Sequence, residues 1–262
     1  MVKRVALVAA AVVVAWLVVL VILGAVLADR QARGTAERLG ESLQAEASIG
    51  ASELALVRGW LELDRISIKR DDVVGHLALD VAEVHCDLAP LGWALVDSSC
   101  RELRVAGTRL DVSTAALFKI KAPKHAPVHA HHVVIDDAVL AFAPSAFVPS
   151  LGRIAISIEH AEAGDTLFRT PLSWLLSLEE LRARLELPAG VTVHLGYKDG
   201  VLSVAGSVFG ATPVELPLTL PSASTAQDAH EEIALLVTAG KDIAERIVAK
   251  RATDWIEQKL RP

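Results

Sequence analysis

Aromatic side chains are scarce in this sequence, at 4% of residues with a single Tyr, and there is also a single Met. Hydrophobic residues nevertheless reach 52%, so the apolar content is Ala, Val, Leu and Ile. Any cavity built from it is lined with aliphatic carbon and offers little of the stacking surface that sugars and bases use. An excess of positive charge is lacking too. The formal net charge is −6, with acids and bases interspersed, which excludes the basic stripe a nucleic-acid binder needs to displace counterions. Catalytic signatures are missing: there is no Gly-x-Ser-x-Gly elbow, no phosphate loop with Gly-Lys-Ser/Thr and no His-Glu-x-x-His. Gly206 to Gly210 carries a serine between glycines at the wrong spacing and reads as a strand running into a turn. These absences point away from an enzyme, and no cofactor is expected.

Cysteine is nearly absent, with only Cys86 and Cys100 on either side of a turn around Pro90 and Gly92. In an oxidising compartment the two would close a short loop, stabilising the domain by about 3 kcal/mol. As free thiols they would be two small buried apolar side chains. Both readings stand on the sequence alone.

One long apolar run is what the sequence does contain. Lys3 and Arg4 precede Val5 to Leu27, which has no charge and no proline. Its roughly 23 residues suffice for a hydrocarbon core about 30 Å thick. Val26-Leu27-Ala28 would also satisfy a signal cleavage rule, but apolar regions of signal peptides run only about 7–15 residues, so a retained anchor over 1–28 is expected. Lys3 and Arg4 favour a cytoplasmic amino terminus, against which Arg30, Arg33 and Arg38 lie on the other flank.

Behind the anchor, 29–47 reads as a linking helix with Leu39 and Leu43 one turn apart. The period then changes to two over a first β segment, 48–118. Leu61 and Leu63 slip by one residue at Arg65 to Ile66 and Ile68, which predicts a bulge or tight turn. Leu77, Leu79 and Val81 slip likewise to Val84, Cys86 and Leu88. A basic, proline-containing linker covers 119–127, and a second β segment covers 128–221. In it Leu181, Ala183, Leu185 and Leu187 alternate with charges, and Lys198-Asp199-Gly200 marks a hairpin. Pro217 suits only an edge strand or bulge. Such meanders, oily on one face and wet on the other, belong to antiparallel sheets covered on one side. Leu103 to Val112 aligns with Val133 to Phe142 about 30 residues on, as two copies of a hairpin-like unit. A helical segment closes the chain over 222–262, with Ile243, Ile247, Trp255, Ile256 and Leu260 among mixed charges. It reads first as a cover for the end of the sheet and second as an interfacial helix on anionic lipid.

His125, His129, His131 and His132 form the richest polar cluster. Clustered imidazoles suit zinc or copper, but no carboxylate stands at ligand spacing before Asp136 and Asp137, and the expectation is a solvated polar linker without metal. Asp71-Asp72 and Asp136-Asp137 read as turn formers, because neighbours in a strand point to opposite faces.

The stretch from Arg38 to Ile68 carries an Ile-Gly-x-x-x-Leu pattern at Ile49-Gly50 and Leu54, then a strand over Leu61 to Ile68. A strand with a Leu-rich turn follows from Val81 to Trp93, then Leu103 to Val112 with its central Gly107. This arrangement resembles AsmA-like proteins over about residues 1–145. The resemblance implies a mainly β fold, with a single transmembrane helix leading to a curved antiparallel sheet, groove-like or partly closed. It also implies a concave apolar face that takes acyl chains, and phospholipid handling between the inner and outer membranes of a diderm bacterium.

Two flanking helices look too few to cover one whole apolar face, and an acyl chain on it gains about 0.8 kcal/mol per buried methylene. The expected lining is Leu61, Leu63, Leu77, Leu79, Val105, Leu110, Ile135, Leu140, Leu185 and Val193. The leading expectation is therefore a single-pass inner-membrane protein with a periplasmic lipid-binding or lipid-transferring domain. The alternative is a non-catalytic scaffold in envelope or secretion-system assembly, holding an envelope protein partner.

Overall fold

The computed structural model describes residues 2–72, 75–91, 93, 99–113, 128–143, 154–169, 172–187, 190–206, 210–221 and 229–260. The apolar run and the charged segment behind it form one unbroken helix, α1 (Val2–Leu43), long and apolar enough to cross a membrane. It stops short of the expected Ala47 for a local reason. Gln44 turns left-handed (φ +51°), and the Ala45 N–H donates to the Gly40 carbonyl at 3.0 Å, which closes the last turn. Buried Arg70 then donates from Nη1 to the Leu43 carbonyl at 2.7 Å, putting a cation on the negative end of the helix.

Eleven strands follow: β1 (Glu46–Ala55), β2 (Trp60–Asp72), β3 (Gly75–Asp87), β4 (Cys100–Ser113), β5 (Val128–Ala143), β6 (Ile154–Ala163), β7 (Thr166–Phe168), β8 (Leu178–Leu187), β9 (Val191–Lys198), β10 (Val201–Gly206) and β11 (Gly210–Pro217). A short 3-10 helix (Ser173–Ser177) precedes β8, and α2 (Ala229–Leu260) ends the chain. All strands belong to one open, curved sheet in chain order, except that β7 pairs with the start of β5 beside β6. The two expected β segments are thus one sheet; the linker expected at 119–127 lies outside the described residues. Asp199 and Gly200, both at positive φ, make the β9–β10 turn, and Pro217 sits on edge strand β11.

The sheet is mixed, not purely antiparallel. β4 and β5 run parallel, with Leu103 opposite Val133 and Val112 opposite Phe142. This is the register of the sequence repeat, so its two copies are not hairpins: each is one long strand, laid beside the other. The connection over 114–127 has the dozen or so residues that a return to the same sheet end requires.

A crease crosses the sheet. Arg65, Gly107 and Asp137 have φ of +54°, +62° and +51° in β2, β4 and β5, and the register aligns them with Gly50 in β1 and Ala82 in β3. On each of these strands two consecutive residues point to the polar face there, so the apolar phase resumes one residue late. Asp136 and Asp137 therefore sit mid-strand at the crease and are not turn formers as expected; the left-handed Asp137 lets both face the same way. The row ends in β6, where the β6–β8 register shifts between Ile158 and His160. Small residues are needed where strands crowd: a Cβ on Gly107 would lie 2.7 Å from that of Ala82.

Gly107→Val is expected to lower the unfolding free energy of the detergent-solubilised chain by about 2–3 kcal/mol in denaturant titration. Asp137→Gly in the same row removes left-handed strain of about 1 kcal/mol and is expected to leave stability equal or higher. Equal losses at both positions would contradict the crease.

Candidate functional site

The register collects the aliphatic side chains on one face. One row runs Ile68, Leu79, Leu110, Leu140, Ile156, Leu185 and Val193 from β2 to β9. Beyond the crease the corresponding row is Leu63, Val84, Val105, Ile135, Ala161 and Leu181. Leu61 stands opposite Cys86, and Leu77 opposite Val112. All ten residues expected to line a groove therefore lie on this face. They are not equally covered. Leu63, Leu77, Ile135 and Val193 are buried, whereas Leu61, Leu79, Val105, Leu110, Leu140 and Leu185 are half-buried.

Among the described residues cover comes from three places. Leu39 and Leu43 of α1 pack on the group around Ile68 and Val112. Trp174 and Leu175 of the 3-10 helix pack on Val133, Ala161 and Ala163, and Ile243 and Ile247 of α2 pack beside Leu202 and Val204. In the middle of the sheet the Leu79–Leu110–Leu140–Ile156 row remains only half-buried. The α2 cover is fastened by a polar latch that no sequence pattern signalled. Glu232, fully buried in the first turn of α2, accepts a hydrogen bond from Ser173 Oγ at 2.7 Å, and Arg169 Nη1 lies 4.0 Å from its other oxygen.

Cys86 and Cys100, both buried, form a disulfide with 5.4 Å between Cα atoms. It joins the end of β3 to the start of β4 and closes the connection between them.

The opposite face is a field of histidine–carboxylate and Lys/Arg–carboxylate pairs. His85 stands 3.1 Å from Asp87 and 3.6 Å from Glu62; Lys198 pairs with Glu180 at 2.7 Å. His129 Nε2 and His131 Nδ1 both reach Asp165 Oδ1, at 2.8 and 2.9 Å. His129, His131 and His132 thus belong to β5 and not to a solvated linker; His125 lies outside the described residues. Asp165, distant in sequence, went unnoticed because only the pairing of β7 with β5 brings it there. Among the described residues this trio and Glu62–Glu83–His85 each bring three ligating atoms within 4.8 Å. The donors of the first trio suit zinc or copper. As hydrogen bonds they tie β5 to the turn before β7.

Two groups show how the pairs respond to pH. Burial raises the Asp165 carboxyl, but the hydrogen bonds from His129 and His131 outweigh it and hold the group below its ordinary value. His160 sits 2.7 Å from Asp136 and 3.0 Å from Glu162. The Asp136 hydrogen bond is the largest cause of its raised pKa, with burial opposing and Glu162 adding. Neither protein-family models nor curated proteins give any match to this chain.

Because the folded state favours protonated His160, its contribution is complete below the unfolded value near 6.5 and is lost as pH rises through the raised folded value. The thermal-midpoint advantage of the wild type over His160→Gln is expected to be largest in mildly acidic buffer and to shrink in alkaline buffer. An advantage that grows with pH would contradict this.

Proposed function

We propose that this chain is a membrane-anchored envelope protein of the AsmA-like type that binds or transfers phospholipid along the aliphatic face of its sheet. The observation that carries the reading is the row of half-buried Leu79, Leu110, Leu140 and Ile156 across the middle of an open sheet. The chain's own helices leave these side chains incompletely covered, while histidines, acids and bases are sorted to the other face. An acyl chain laid on the row gains about 0.8 kcal/mol per buried methylene. A bilayer offers a methylene the same environment, so exchange between the two is nearly balanced, which suits transfer better than tight storage. Among the described residues this face holds no array of charges for a head group, which supports selection by chain length and shape.

The anchor and the disulfide together support the compartment. A disulfide persists in oxidising surroundings such as a bacterial periplasm, and α1 leads straight to the domain that contains it. The inner membrane is then the site of α1 and the periplasm that of the sheet.

The full chain, purified in mild detergent and extracted for lipid mass spectrometry, is expected to carry phospholipid. Leu79→Glu with Leu140→Glu on the apolar face should lose most of it, while Asp80→Lys on the polar face should not, at comparable thermal midpoints. A wild-type chain free of lipid would overturn the reading and leave a scaffold that presents its open sheet to an envelope protein partner.

A further inference from the structure

Outside the helices and among the described residues, the exposed large apolar side chains are Leu91, Trp93, Val128, Leu172 and Val201. They are not scattered. The Leu91 N–H donates to the Val57 carbonyl in the β1–β2 turn, and the Trp93 N–H to the carbonyl of Pro90. Val128 opens β5, parallel to the start of β4, and pairs with Phe168 at the end of β7, from which the chain passes to Leu172. Val201 follows the β9–β10 turn, beside Lys198 and the start of β8. All five therefore stand at one end of the strands. The other end shows no exposed large apolar side chain among the described residues.

The membrane helix meets the sheet at the same end. α1 lies along β1, and the contact is so close at Gly24 that a Cβ there would lie 2.4 Å from the Leu54 carbonyl oxygen. Leu20 and Leu56 are both buried at this crossing, at 0% and 2% exposure, while Val14, Trp16, Val18 and Val19 on the helix are exposed. The apolar run, at about 1.5 Å per residue, is roughly 35 Å long against a hydrocarbon core of about 30 Å. Gly24, near its end, thus stands close to the level of the bilayer interface, and so does the β1–β2 turn.

We propose that this end of the sheet is a membrane-docking rim, which sets Trp93 and Leu91 into the interface of the bilayer that α1 crosses. Val128, Leu172 and Val201 continue the same edge. The inference rests on α1 as a membrane span and deepens the lipid reading by giving the apolar face its entrance. Exposures of 55% for Leu91 and 66% for Trp93 are costly in water, and an indole with one polar edge is the side chain best suited to the head-group region. The base of this turn is held in place. Leu88 at its base is buried in the core, its N–H donates to the Gly59 carbonyl at 2.7 Å, and the Cys86–Cys100 disulfide closes the connection behind it. With the strands running along α1, the aliphatic face rises from the bilayer surface, so that an acyl chain enters along the strand direction and crosses the rows in turn.

The test reconstitutes the full chain in vesicles of phosphatidylcholine brominated at shallow or deep acyl positions. Wild type, Trp93→Phe and Trp16→Phe are compared, so that difference emission isolates each indole. Trp93 is expected to emit to the blue of a water-exposed indole and to lose most of its intensity to the shallow bromines, with Trp16 quenched by the deep ones. Quenched Trp16 beside unquenched, red-shifted Trp93 overturns the rim while the anchor stands. If neither is quenched, the membrane span fails and the rim with it. Quenching of Trp93 in a chain that carries no lipid after purification upholds the rim and counts only against the groove.

Discussion

Among the described residues the helices leave part of the apolar face of an open sheet only half-buried, and most of this structure follows from that shortage of cover. The strands from β2 to β5 are 13 to 16 residues long, which at about 3.3 Å per residue is roughly 43–53 Å. Over such lengths, strict alternation on a twisting strand would turn the side chains away from a common direction. The crease resets the phase at mid-strand, so Leu63 and Ile66, or Ile135 and Ala138, face the same side although two residues separate each pair. Left-handed backbone at Arg65 and Asp137 costs stability, and the continuous aliphatic surface is what that cost secures.

The cover that does exist is tied down at its ends by polar groups. Arg70 is the charged side chain that faces inward on β2, and its bond to the Leu43 carbonyl fixes where α1 stops and the sheet begins. Glu232 does the same for α2 through Ser173. Both are buried charges with hydrogen-bond partners, costly to separate from them, so the helices are fixed at these ends while the middle row keeps its exposure.

Much of the fold was legible because apolar periodicity survives every later complication. The phase slip at Arg65 and the one after Val81 are the crease, seen one strand at a time, and the faint repeat is the β4–β5 register. Asp199-Gly200 announced its hairpin. What the sequence hid depends on contacts distant along the chain. Nothing local separates a parallel neighbour from a hairpin partner, so the repeat was legible and its geometry was not. Asp165 and Glu232 are unremarkable as letters, and become partners of His131 and Ser173 only through strand pairing and helix docking. The ten residues expected to line a groove were placed by alternation alone, and alternation gives the face but not the coverage: Leu77 and Leu79 look alike in sequence, yet one is buried and the other half-buried. The exposed rim was hidden for the converse reason, since Trp93, Val128 and Val201 share an end only after the strands are ordered.

Phospholipid is proposed to lie on the aliphatic face. Photo-crosslinking amino acids placed singly at Leu79, Asp80, Val105, Arg109, Asp136 and Leu140, and activated in native membranes, test it most directly. Phospholipid adducts are expected at Leu79, Val105 and Leu140 and none at Asp80, Arg109 or Asp136. Adducts absent from all three apolar positions, or equal on both faces, would contradict it.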